Sequence, residues 1–277
     1  MKKKNKLVLI CVSLLFIGAG LIVLGLGMGA YRHKNQWYFS FYQMESFEKT
    51  YENISNLEFD FETSEVIIQE GEEFHIQAEN VAKNFLSYQN GSTWIIKEKS
   101  PNFIGVCING IVGNGGKVII TIPKDATIQH AKIEMDTGVL TMNHFHGNVV
   151  DVSSDVGKIE LNTISANTLE LDVETGSIQV YDAHIGNGSF DTDVGNLYFE
   201  GMIKGNYQVN VDVGSAKLIL ENSYEDFNYD VDVDMGNVIV GDRDGSLFST
   251  KQRIDNGATK LAILDCDMGN ITISFQK

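Results

Sequence analysis

The chain runs to 277 residues, with 27 glycines, two prolines, three cysteines and a formal net charge of −16. That length can bury a real core in one or two domains. Abundant glycine with scarce proline favours many strands joined by tight turns over disordered linkers, and so acidic a surface repels nucleic acid while favouring cations or basic partners.

Residues 7–30 form an uninterrupted apolar run without a charge. At about 1.5 Å per residue a helix of that length reaches roughly 36 Å, enough to cross a hydrocarbon core of about 30 Å. A cleavable signal peptide is the rival reading, but its apolar region is about 7–15 residues long. Lys2, Lys3, Lys4 and Lys6 stand before the run and only Arg32 and Lys34 closely after it. The positive-inside rule therefore predicts a cytoplasmic N-terminus, a single-pass anchor over 1–34 and an extracytoplasmic remainder. Gly25 and Gly29 make a GxxxG spacing within it. Trp37, Tyr38, Phe39, Phe41 and Tyr42 follow in a juxtamembrane stretch, 35–54, with the composition of an interfacial aromatic belt. Cys11 lies inside the apolar run, and Cys107 and Cys266 are too few for a disulfide framework. A buried thiol is the simplest reading of Cys266, with a bridge to Cys107 left open.

Between 55 and 127, alternation predicts strands over 57–69, 74–79, 85–89, 93–97 and 117–122, with a hairpin turn at Asn90-Gly91. This N-terminal β region is expected to pack onto the repeats C-terminal to it. Gly105 to Gly116 reads as a loop, and Gly116-Lys117 is no phosphate loop, since Val118 stands where Ser or Thr is needed.

From residue 128 onward one signal recurs: a carboxylate, one residue, then Gly. The glycines are Gly138, Gly157, Gly176, Gly195, Gly214, Gly236 and Gly269, the first five evenly spaced, and the carboxylates two places before them are Asp136, Asp155, Glu174, Asp193, Asp212, Asp234 and Asp267. Apolar residues alternate on both sides, as Leu169, Leu171 and Val173 do before Gly176 and Ile178 and Val180 after it. In the coil at Gly236 the inward set reads Val231, Val233 and Met235, then Val238 and Val240. The period-two phase slips at the glycine, as a bend requires. Each return carries one more apolar residue: Phe145, Ile164, Ala183 and Met202. One coil cannot bury its own face, but stacked coils can. The predicted fold is all-β, a right-handed β-helix-like solenoid of short parallel strands over 128–277, with a late insert, 242–259, whose Arg243, Lys251 and Arg253 could fold over the acidic face or cap the end.

These elements resemble the bacterial putative-adhesin family of β-strand-repeat envelope proteins, a domain of unknown function. The matching pieces are LEFDFETSEVIIQ from Leu57, the TIP of Thr121 to Pro123, and the units IEMDTGVLTM, LELDVETGSIQV, FDTDVGNLYF and VDVDMGNVIV. The resemblance covers about 55–277. It implies a membrane-associated protein linked to surface interaction or envelope stress, and brings no catalytic residues with it.

Four places before each glycine a second outward column holds Glu134, Ser153, Asp172, Asp191, Asn210, Asp232 and Asp265. Stacked like charges are unfavourable in a sheet, so solubility alone is an incomplete reason for them. Three readings stay open. The nearer carboxylates cap backbone N–H groups of the bend, the columns bind a divalent cation such as Ca²⁺, or they attract a cationic peptide or the basic surface of an envelope protein. The expected role is non-catalytic binding or scaffolding, with no cofactor beyond a Ca²⁺ ion. The alternatives are a polysaccharide-acting β-helix enzyme and a purely structural surface spacer. Against an enzyme, residues 130–240 contain no Arg and only Lys132, Lys158, Lys204 and Lys217. His144 and His146 alternate outward without a third ligand in sight. Homo-oligomerisation is left open.

Overall fold

The computed structural model describes residues 30–33, 36–39, 44–98, 116–241, 246–248 and 251–276. The predicted membrane run up to residue 29, Cys11, Cys107 and Arg243 lie outside them. Among the described residues no helix is long and apolar enough to cross a membrane.

The chain divides into two units. In the smaller one the described residues form a hairpin, β1 (Ala30–His33) antiparallel to β2 (Gln36–Phe39), with Ala30 opposite Phe39. Ala30, expected to end the membrane helix, is thus the first residue of a strand, and Trp37 to Phe39 of the aromatic stretch are strand as well.

The larger unit is the solenoid. In chain order it holds β3 (Met44–Tyr51), β4 (Asn56–Phe61), β5 (Glu65–Gly71), β6 (Phe74–Ala82), β7 (Leu86–Asn90), β8 (Thr93–Lys97), β9 (Lys117–Pro123), β10 (Ile128–Ile203), β11 (Tyr207–Leu220), β12 (Phe227–Val240), β13 (Ser246–Phe248), β14 (Gln252–Ile254) and β15 (Lys260–Phe275). β10 is one continuous coiling strand that carries the corners at Gly138, Gly157, Gly176 and Gly195. Each coil lies parallel on the next: Asp191 pairs with Asn210 and Gly195 with Gly214.

The order of the last coils departs from the order of the chain. β15 lies between β11 and β12, with Gly214 opposite Gly269 and Gly269 opposite Gly236. The corner column therefore runs Gly195, Gly214, Gly269, Gly236. β12 is the terminal rung, and its far edge is closed by β13 and β14, both antiparallel to it. At the other end the region expected to pack onto the solenoid is part of it. β4 and β5 pair in parallel with β10, and β8 and β9 pair in parallel with β4 and β5. The predicted strand 57–69 is broken at Ser64, which occupies the corner place, and Gly116 occupies it one rung further out, its carbonyl accepting from the Glu65 N–H at 2.9 Å. β7 and β6 then run antiparallel to β8 and β9, the former through the expected hairpin at Gly91 (φ 60°).

Alternation fills the core as the pattern predicts: Leu169, Leu171, Val173, Ile178 and Val180 are all buried. Phe145, Ile164 and Ala183 close the third side, whereas in the fourth coil Ile203, not Met202, is the buried residue. The reason is a second corner. His144, Thr163 and Asp182 adopt φ of 54–57°, and Gly201 takes up the next bend with φ 150°. Aromatic rings plug both ends, with Trp94 against Phe59 and Phe74 at one and Tyr207 against Phe227 at the other.

At the main corner each glycine sits directly under a carbonyl of the preceding rung. A β-carbon on Gly176 would overlap the carbonyl oxygen of Gly157, and one on Gly214 that of Gly195, and both residues have φ near +150°, a region L-residues avoid. Gly176→Ala should therefore destabilise the fold by about 2–4 kcal/mol, seen as a lowered melting temperature. Gly91→Asn, at φ 60° with open space around it, should leave that temperature within the scatter of the wild type.

Candidate functional site

Both acidic columns exist as predicted. Rungs lie about 4.8 Å apart, so each carboxylate has a carboxylate or an amide from the neighbouring coil beside it. The nearer column, two places before the corner, is exposed throughout: Asp136, Asp155, Glu174, Asp193, Asp212, Asp267 and Asp234 in spatial order. The outer column, Glu134, Ser153, Asp172, Asp191, Asn210, Asp265 and Asp232, ranges from exposed to half-buried.

The capping reading of the nearer column does not hold. None of its seven carboxylates accepts a hydrogen bond from the bend; at the first corner the Thr137 N–H donates instead to the Glu62 carbonyl of the adjacent rung, at 2.9 Å. The backbone satisfies itself from rung to rung, and among the described residues these side chains have no hydrogen-bond partner. At the Glu62–Thr63 bend the capping carboxylate comes from outside both columns: Glu98, almost fully buried, accepts from the Glu62 and Thr63 N–H groups at 3.0 and 3.2 Å. By contrast, the outer column is partly engaged. Lys132 donates to Glu134 at 2.7 Å, Asn210 to Asp191 at 3.2 Å, and Lys251 of the late insert to Asp232 at 2.7 Å. The insert thus folds over the acidic face at the terminal rung, in keeping with its basic residues.

A shallow depression lies on the C-terminal rungs, lined by Asp191, Asp193, Asn210, Asp212, Asp265 and Asp267. Among the described residues no three His, Cys, Asp or Glu side chains converge as a metal site. His144 and His146 are both exposed, on either side of the buried Phe145. Cys266 is a free, fully buried thiol whose pKa burial pushes up.

Sequence alternation misses one feature of this face. It predicts that the residue immediately before each corner glycine points inward, Met235 among them, yet Met235 is 61% exposed. The bend turns the two side chains before the glycine and the one after it outward, so alternation cannot be carried through it.

Crowding of like charge shows in the ionisation. Partial desolvation between the rungs raises the carboxyls of Asp136, Asp172, Asp212 and Asp265 above the usual range, and their neighbours push the same way: Asp155 on Asp136, Asp191 on Asp172, Asp193 on Asp212, and Asp232 on Asp265. A raised folded-state pKa means that the charged form is the one the fold disfavours. The destabilisation is absent below the unfolded value near 3.8 and grows as pH rises through the raised values. Glu160, held low by the Lys158 ammonium, works in the opposite sense, its contribution being lost on further acidification. Acidification from pH 7 toward the unfolded value near 3.8 should therefore relieve this destabilisation and raise the melting temperature, and Asp212→Asn should raise it at pH 7 by on the order of 1–2 °C. Thermal melts across that range check both.

Solved structures similar to this chain include a putative cell adhesion protein from Clostridium sporogenes, 12% identical, with 84% of this chain covering all of that one at a TM-score of 0.40. A putative adhesin from Bacteroides fragilis is 11% identical over 83% of this chain and 97% of its own, with a TM-score of 0.44. One from Parabacteroides distasonis is 11% identical over 84% and 97%, with a TM-score of 0.33. No curated protein matches the chain. The model of the Toastrack DUF4097 family matches residues 54–202, from just before β4 to the last coil of β10 and more than half of the sequence, and the chain belongs to that family.

Proposed function

We propose that this chain is a single-pass envelope protein, anchored by a membrane helix within 7–29, whose right-handed solenoid stands outside the cell and binds a cationic partner without catalysing a reaction. The carrying observation is the nearer column: seven exposed carboxylates that neither cap the bend nor pair with a cation among the described residues. A fold that needed them only for solubility would not line them up at the spacing where they repel one another.

Two observations favour a cationic polypeptide over a divalent ion. Carboxylates stacked in columns offer a running field rather than a closed cage of oxygens, which Ca²⁺ prefers. The chain itself also seats an ammonium group, that of Lys251, on Asp232. Scaffolding rather than catalysis is supported by repetition: the polar groups of the face recur rung by rung instead of converging on one reacting point, as acid and base must.

Polylysine should bind the full-length protein with an affinity that falls steeply between low and physiological salt, and changing Asp172, Asp191, Asp193 and Asp232 together to Asn should weaken it markedly. Salt-insensitive binding, or binding untouched by the four changes, would sink the reading. Millimolar Ca²⁺ should shift the melting temperature no more than NaCl of equal ionic strength.

A further inference from the structure

The place immediately before the corner glycine carries an apolar column of its own. Val156, Val194, Val213, Met268 and Met235 are 50, 49, 43, 48 and 61% exposed. Because β15 lies between β11 and β12, the last four of these follow one another without a break, over about 14 Å at the spacing of parallel rungs. The bend itself does not demand them, since Thr137 and Thr175 fill the same place on other rungs and are exposed too. Beside each stands its carboxylate, Asp193, Asp212, Asp267 or Asp234, and the acidic depression lies on the first three of these rungs.

We infer that these four rungs are the docking surface for an amphipathic helix of a partner protein, apolar along one edge and basic along the next. The inference rests on the reading of the acidic face as a site for cations, and names the partner's form. An α-helix laid along the columns advances about 5.4 Å per turn against about 4.8 Å per rung, so over three steps it drifts by only about 2 Å. Side chains at i, i+4 and i+7 then meet Val194, Val213 and Met268 in turn, while Lys or Arg on the adjoining edge reaches the carboxylates. An extended strand repeats on one face every 6.6 Å or so and drifts by about 5 Å over the same span, a whole rung out of register. Charge complementarity excludes anionic lipid and anionic glycan as occupants.

The test uses the full-length protein in nanodiscs of zwitterionic lipid, with empty discs as the blank, and two synthetic peptides of equal length and charge: a Lys/Leu amphipathic helix and a Lys/Ser peptide. The Lys/Leu peptide should bind at least about tenfold more tightly and gain helical circular dichroism on binding. Val194→Ser, Val213→Ser and Met268→Ser together should abolish that difference and leave the Lys/Ser affinity unchanged; all three side chains are exposed, so the fold should survive. Equal affinity of the two peptides for the wild type, a difference that persists in the triple variant, or tight binding without gain of helix would each overturn the docking surface while leaving the acidic-face reading intact. Failure of both peptides to bind would overturn both.

Discussion

The whole solenoid depends on one contact, the backbone of each corner glycine packed against the carbonyl of the corner before it. From Gly138 to Gly236 a single methyl group at this place would collide with the preceding rung. The contact holds successive coils at sheet spacing through a bend, where backbone pairing would otherwise be lost. It also lets the bend N–H groups find carbonyls on the neighbouring rung, as Thr137 finds Glu62. Ser64 shows the limit of the rule. It stands at the corner, fully buried, with Gly116 opposite it on the rung beyond, where β9 resumes at Lys117.

Once the backbone satisfies itself, the side chains flanking the corner are released from structural duty. The two before the glycine and the one after it turn outward, and the same three places recur along the rungs, so any chemical choice at one place is written along the stack as a column. That is how the structure comes to carry a line of uncapped carboxylates beside a line of exposed Val and Met. The cost is visible at Asp136 and Asp212, whose carboxyls are raised above the usual range, so that the folded state favours their neutral form. Glu98 marks the contrast: at the Glu62–Thr63 bend the capping side chain is buried and accepts two backbone hydrogen bonds.

Much of this is legible in the chain. Equal spacing of Gly138 to Gly214 predicts the coil, and alternation predicts the buried set. Three things are not legible, each for a physical reason. The exposure of Met235 is hidden because alternation is a property of extended strand and ends at the bend. The outer rung of β8 and β9 is hidden because its two halves are far apart in sequence, so no period connects Lys97 to Gly116. The position of β15 is hidden because every parallel rung presents the same pattern to both sides; DCDMGN and DVDMGN are interchangeable as neighbours, and only the connections decide which lies inside.

Those connections also determine where the open surface ends. A solenoid whose last rung were β15 would present an unpaired parallel edge, a template for association with another chain. Placing β12 last gives the edge a strand whose own continuation can return across it. The segment after Val240 does so, closing the far edge of β12 with β13 and β14. As it returns, Lys251 reaches Asp232. One excursion therefore protects the edge and neutralises the outer column at the terminal rung. It leaves Asp234 and Met235 exposed beside Asp267 and Met268, so the acidic and apolar columns continue unbroken to the end of the stack, with the Lys251 ammonium held to one side.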